Sequence, residues 1–176
     1  MDYKQVEKAF SSAGKSRIKP KVEAMLNERI AKEAEAAYIY KNMSVWCNVM
    51  GLFGAYKMFG EHYYEELDHM NKIYSYMLDR GSMPKNPNIK AINEKYKDLK
   101  DVISKALEHE ISVTIGYEKA CDIAYKEGDK VTAEFLRWYL NEQIEEESKF
   151  ADILSRLEYI GNDKAAEIIV DKELSK

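Results

Sequence analysis

Four separate stretches of this chain place ionisable residues where a core should be: Glu33, then Glu66 with His69, then Glu110, then Gln143 with Glu146. Each stretch is free of proline and spaces its apolar residues three and four apart, which puts them on one face of a helix. The first face reads Leu26, Ile30, Glu33, Ala37, Tyr40, Ser44, Cys47, and the second Ala55, Phe59, His62, Glu66, His69/Met70, Ile73, Met77. The third reads Leu99, Ile103, Ala106, Glu110, Val113/Thr114, Tyr117, Cys121, Ala124, and the fourth Phe135, Tyr139, Glu142/Gln143, Glu146, Phe150, Ile153, Leu157. A buried, unpaired carboxylate costs several kcal/mol or takes up a proton. Cations in the same interior remove that cost. Glu66 and His69, three apart, offer a carboxylate and an imidazole to one ion. Four inward acids balance two divalent cations, and mixed oxygen and nitrogen donors suit Fe²⁺, Mn²⁺ or Zn²⁺ better than Ca²⁺. A lone Glu-x-x-His is common on solvated helix faces. Its combination with an acid at mid-stripe on each of three further helices makes the pattern specific, and in a four-helix bundle it is the di-iron carboxylate pattern.

Positioning such a cluster takes long helices. The spacing predicts helices over about 20–50, 53–80, 97–127 and 130–160, with Gly51/Gly54, Gly81, Gly128-Asp129 and Gly161-Asn162-Asp163 at their ends. Gly116 lies inside the third, at a cost of ~1 kcal/mol relative to Ala. Residues 81–96 hold Pro84, Pro87, Asn86 and Asn88, a loop composition. A helix of ~28 residues is ~42 Å long, and ~15 extended residues reach ~50 Å. The loop can therefore run the length of the bundle and start the third helix at the same end as the second, a crossover rather than an up-down-up-down order. A short fifth helix is expected over 165–174, with an apolar face of Ala166, Ile169 and Val170 that is too small to fold alone. The fold class is all-α, and the expected organisation is an N-terminal extension over 1–20, a bundle over 21–160 and a C-terminal helix over 161–176. The first and third helices echo each other, Glu33 followed seven residues later by Tyr40 and Glu110 by Tyr117, as if two helix pairs were related by an internal twofold.

The 176 residues carry 27 basic and 31 acidic groups, for a net charge of -4, which gives no reason to expect nucleic acid as a partner. No apolar run approaches ~18 residues, so no membrane span is expected, and the first twenty residues have no apolar secretory core. Cys47 and Cys121 read as reduced core thiols, which suits a cytoplasmic protein.

The pieces Ile30-Ala31-Lys32-Glu33, Tyr40, Glu65-Glu66-Leu67-Asp68-His69, Glu108-His109-Glu110 and the run from Phe135 to Glu147 carry a resemblance. Over residues 22–174 the chain resembles a non-haem ferritin of the bacterial and archaeal type. That resemblance implies a ferritin-like bundle, assembled as a hollow 24-mer shell, that oxidises Fe²⁺ with O₂ or H₂O₂ and stores Fe³⁺ as mineral, with no haem. It also implies the ligands. Site A would be Glu33, Glu66 and His69, with Gln143 near; site B would be Glu66 as bridge with Glu110 and Glu146; a third, inner site would use Glu65, Glu142, Glu145 and Glu146. Tyr40 would border the pair and supply an electron. Trp138 reads as a core aromatic, His62 as a hydrogen-bonded core residue one turn before Glu66, and His109 as structural or surface. Bacterioferritins and rubrerythrins resemble a doubled Glu-x-x-His, whereas three residues after Glu146 this chain has Lys149. Site B thus has no imidazole, and metal there should be held loosely. The alternatives are a rubrerythrin-like di-iron peroxidase or oxidase that retains its metals, and a helical interaction module without catalysis.

Overall fold

Pro20, whose fixed φ suits a first helical turn, opens α1 (Pro20–Val49). In this computed structural model the described residues are 2, 4, 5, 8 and 16–175. Most of the expected N-terminal extension lies outside them. Its end is tied to the bundle: Arg17 N–H donates to the Arg80 carbonyl at 3.0 Å, and Ile18 is buried. From Pro20 onward α1 is followed by α2 (Phe53–Asp79), α3 (Leu99–Lys126), α4 (Lys130–Ile160) and the short α5 (Lys164–Glu173). All five lie within two residues of their expected ends.

The turns follow from local chemistry. Gly128, at φ +72°, adopts the left-handed conformation that a side chain disfavours and closes α3. Asp129 then caps α4, its carboxylate accepting from Thr132 N–H at 3.1 Å and the Thr132 hydroxyl at 2.7 Å. The long connection between α2 and α3 runs beside α1. Near its start Lys85 N–H donates to Asn27 Oδ1 at 2.7 Å. Near its end the Tyr96 hydroxyl donates to Asn42 at 3.2 Å, and its ring meets Trp46 edge-on at 5.4 Å. Asn27 and Asn42 are ~22 Å apart along a helix, so the segment crosses from one end of α1 toward the other, and α3 starts where α2 starts.

The apolar core comes in two parts. One centres on Leu26, Ile30, Ile73, Met77, Tyr117, Leu136 and Tyr139. The other centres on Tyr40, Cys47, Phe59, Leu99, Ile103, Phe150 and Leu157. Between them Glu33, His62, Glu66, Glu110, Gln143 and Glu146 are all buried. The inner stripes hold with one adjustment: Phe135 is half-buried, stacked on Tyr76 at 3.9 Å rather than pointing to the axis.

α5 packs on its own bundle by part of the expected face, with Val170 buried, Ala166 half-buried and Ile169 left out. Ile169 is 60% exposed, and Val170 and Asp171 are the buried pair. The Asp171 carboxylate accepts Gly54 N–H at 3.1 Å and Ala55 N–H at 2.9 Å, so it caps α2, whose own N-cap, Leu52, has no side chain able to do so. Gly54 permits this approach: a Cβ there would lie 1.6 Å from the Asp171 carbonyl oxygen. A ten-residue helix takes the face that satisfies two buried N–H groups over the one that hides an isoleucine.

Candidate metal centre

All four long helices contribute to the polar layer. α1 brings Glu33 and Tyr40, α2 brings His62, Glu65, Glu66 and His69, α3 brings Glu110 and Tyr117, and α4 brings Gln143 and Glu146. Among the described residues, the ligand atoms of two groups converge: Glu33, Glu66 and His69, and separately His62, Glu65 and Glu146.

In the first group His69 Nδ1 lies 3.6 Å from Glu33 Oε2 and 3.5 Å from Glu66 Oε2. An ion with bonds of ~2.1 Å in tetrahedral array holds its ligand atoms ~3.4 Å apart, so these three atoms fit one ion. Glu33 Oε2 is buried without a hydrogen bond. Such an orphaned acceptor is expensive unless a cation fills its place. Electrostatics agree. Burial opposes the charged imidazole of His69, but the adjacent Glu33 and Glu66 carboxylates outweigh it and hold the ring up to about 10. The buried Glu66 carboxyl is raised well above its usual range by desolvation, with repulsion from Glu33 and Glu110 adding to it and His69 opposing. Without metal, a proton on His69 does part of a cation's work.

Tyrosines close the layer from both sides. The Tyr117 hydroxyl donates to Glu33 Oε1 at 2.7 Å, and the Tyr40 hydroxyl donates to Glu110 Oε1. Tyr40 of α1 thus serves the acid of α3, and Tyr117 of α3 serves the acid of α1. Both phenols are fully buried and their acidity is suppressed, by desolvation first and the nearby carboxylates second, so they stay donors. Gln143 Nε2 donates to Glu110 Oε2 at 2.8 Å, which sets it beside Glu110 rather than beside Glu33. Both Glu110 oxygens therefore carry donors.

Glu146 faces Lys149 Nζ at 3.2 Å and His62 Nδ1 at 3.4 Å. His62 is the hydrogen-bonded residue expected, 2.9 Å from Glu65, and that bond leads in depressing the Glu65 carboxyl to about 2. The acids of the expected inner site do not all meet. Glu65 and Glu146 converge on His62, whereas Glu142 is half-buried and Glu145 exposed, outside both groups. Trp138 lies edge-on to His69 at 5.5 Å, with Lys72 Nζ 3.6 Å above its ring. His109 packs edge-on to Tyr40 at 5.8 Å, its buried Nε2 unpartnered. The contribution of Tyr117 was missed beyond its spacing, because the partner of a cross-helix hydroxyl depends on which helices are neighbours.

Residues 23–160 match the model of the ferritin-like domain family. The chain is 35% identical over 150 residues to a probable bacterial non-heme ferritin-like protein of Haemophilus influenzae, covering 85% of this chain and 91% of that protein. It is 30% identical over 158 residues to the bacterial non-heme ferritin of Escherichia coli O157:H7, covering 90% and 96%. Among solved structures it superposes on an open pore ferritin of the archaeon Archaeoglobus fulgidus with a TM-score of 0.88 and 33% identity, covering 90% of this chain and 97% of that one.

Proposed function

The chain belongs to the ferritin-like domain family, in its bacterial and archaeal non-haem ferritin branch, and we propose how its own residues carry out the ferroxidase and iron-storage work of that family. Iron is the substrate and the cargo. Glu33 Oε2, Glu66 and His69 Nδ1 receive one Fe²⁺; Glu66, Glu110 and Glu146 receive a second, with Gln143 released from Glu110 as it binds. Each ion gives one electron. The pair reduces O₂ with two protons to H₂O₂, or H₂O₂ with two protons to two H₂O, and leaves two Fe³⁺. Tyr40 borders the pair through its hydroxyl on Glu110. The chain's part is to hold the ions adjacent, exclude water and supply the charge they displace.

The ferric product then leaves for storage. Glu146 is held by Lys149 where a second imidazole would have anchored the ion, which favours release over retention and supports storage over a rubrerythrin-like enzyme. Glu65, with His62 and Glu146, is the next group the product would meet, and Glu142 and Glu145 are further acids on the same helix as Glu146. Subunits assemble into a shell, a 24-mer by resemblance. Exposed Val49, Phe53, Tyr64 and Ile144 on the outer faces support burial between copies. The protein works in the cytoplasm, where its two free cysteines suit the reducing conditions. No described helix is long and apolar enough to cross a membrane.

The buried Glu33 Oε2, which accepts no hydrogen bond and lies 3.6 Å from His69 Nδ1, is the observation that carries this reading. Fe²⁺ added aerobically to the metal-free protein should produce ferric absorbance. Glu33→Ala and His69→Ala should each slow its appearance by 10-fold or more, on the order expected for lost ligands. Wild-type rates in both variants would overturn the assignment.

A further inference from the structure

The two oxygens of Glu33 live in different surroundings. Oε1 accepts the Tyr117 hydroxyl at 2.7 Å, while Oε2 is bare and faces His69 and Glu66. We propose that Tyr117 is a positioning residue for the ferroxidase reaction: by occupying Oε1 it confines Glu33 to one-oxygen ligation of the first ion, leaving a coordination place open to the oxidant. The inference rests on the reading of Glu33, Glu66 and His69 as that ion's ligands.

A carboxylate can bind metal through one oxygen or both. With one from Glu33, one from Glu66 and a nitrogen from His69, the ion has three protein donors, and an open place is what distinguishes a reactive metal site from a closed structural one. A second oxygen from Glu33 would fill that place. The Tyr117 hydroxyl prevents it in two ways. It takes one of the two lone pairs of Oε1 and holds that oxygen toward Tyr117, and its hydrogen bond, strong in a dry interior, draws electron density from the carboxylate and weakens it as a donor.

The surroundings of Tyr117 hold the hydroxyl still. Its ring stacks on Tyr139 at 4.5 Å and 12°, and the Tyr139 hydroxyl donates to the His69 carbonyl at 2.9 Å. One aromatic ring thus sets the position of both Tyr117 and the helix turn that carries His69. Beyond Tyr117 lies Arg29, nearly buried, with its guanidinium carbon 5.6 Å from the ring centroid. The space for Arg29 exists because residue 116 is glycine: a Cβ there would lie 2.1 Å from Arg29 Nη1. This explains a glycine in mid-helix that costs the helix stability. Tyr40 stands in the mirror position on Glu110, but there Gln143 takes the other oxygen. Of these two acids, Glu33 keeps one oxygen without a hydrogen bond, whereas both oxygens of Glu110 accept one.

The test titrates the assembled, metal-free protein with Co²⁺ without oxygen, following its visible ligand-field bands, which weaken as coordination number rises. Tyr117→Phe removes only the hydroxyl. It should tighten Co²⁺ at the first position, weaken those bands, and slow the oxidation of a second dose of Fe²⁺, since an ion held by both oxygens leaves slowly. A Tyr117 that merely packs would do the opposite, loosening Co²⁺ when lost. Unchanged or looser binding, or bands of wild-type intensity, overturns the proposal. Glu33→Ala run alongside separates the two claims. If it leaves Co²⁺ binding intact, the ligand assignment has failed; if it removes one Co²⁺ while Tyr117→Phe behaves as wild type, only the role of Tyr117 has.

Discussion

Glu33, Glu66 and His69 converge in the place where they would share a metal ion. With the His69 imidazole held up to about 10, chiefly by Glu33 and Glu66 against the pull of burial, it is charged at neutral pH. A cation taken between these residues must displace that proton, because the imidazole binds metal through the same Nδ1 that carries it. Zn²⁺ added to the metal-free protein at pH 7 should release about one proton at this position, read from the dependence of the binding heat on buffer ionisation. The affinity should rise with pH through the neutral range. His69→Ala should abolish the release, and a release unaffected by that change would place the proton elsewhere. The second position follows another rule. Glu146 is offset by Lys149 Nζ at 3.2 Å, a charge that cannot ligate and competes with the ion. Lys149→His would restore a Glu-x-x-His on α4. It should raise the iron retained after turnover and desalting toward two ions per chain, while slowing mineral growth.

The helices place these side chains through caps that lie far from the chemistry. Asp171 of α5 holds Gly54 and Ala55 N–H at the start of α2, the helix that carries four of the layer's side chains. Asp171→Ala strands two buried donors and should cost roughly 2–3 kcal/mol, seen as a lower urea midpoint and as faster hydrogen exchange in α5. Asp129 does the same for α4. Burial opposes its charge, but bonds from Thr132 and the Arg80 guanidinium at 3.3 Å outweigh it and hold its carboxyl below the usual range. A carboxyl depressed in the folded state stabilises above its unfolded value of about 4 and loses that contribution as pH falls below it. Asp129→Ala should therefore cost about 1–2 kcal/mol at neutral pH, and progressively less as the pH falls through the acid range and the wild type loses the same contribution. The contrast between the two aspartates also marks what a sequence displays. Gly128-Asp129 is a local turn signal, readable beside the helix it starts, as were Glu33, Glu66 and Glu110, which betray themselves by interrupting apolar stripes. Asp171 is not readable, because its partners lie over a hundred residues upstream, and Ile169 looked inward only until that contact chose the face. Tyr117 and His62 lie between these cases. Their spacing put them on inner stripes, but which acid each would meet was decided by the neighbours of their helices.

At the largest scale, among the described residues, the polar layer separates two apolar halves while many large apolar side chains remain outside. Val49 is 79% exposed, Ile144 69% and Phe53 67%. A soluble monomer rarely leaves such surface uncovered, and copies of the same chain are the natural cover. A shell of 24 chains of 20.4 kDa would have a mass of about 490 kDa. A closed shell makes a stronger prediction than its mass. Cargo laid down inside adds weight without adding radius, whereas mineral deposited outside, or on scattered bundles, enlarges the particle or precipitates it. As Fe²⁺ is added in air, the sedimentation coefficient should climb with the iron taken up while the diffusion coefficient measured by light scattering stays constant. The same additions to Glu33→Ala should yield slow growth in both, because iron oxidised in bulk water hydrolyses wherever it meets a surface. A wild-type particle that sediments as a single chain, or one whose radius grows with its iron, would leave the ferroxidase centre without the enclosed space that storage requires.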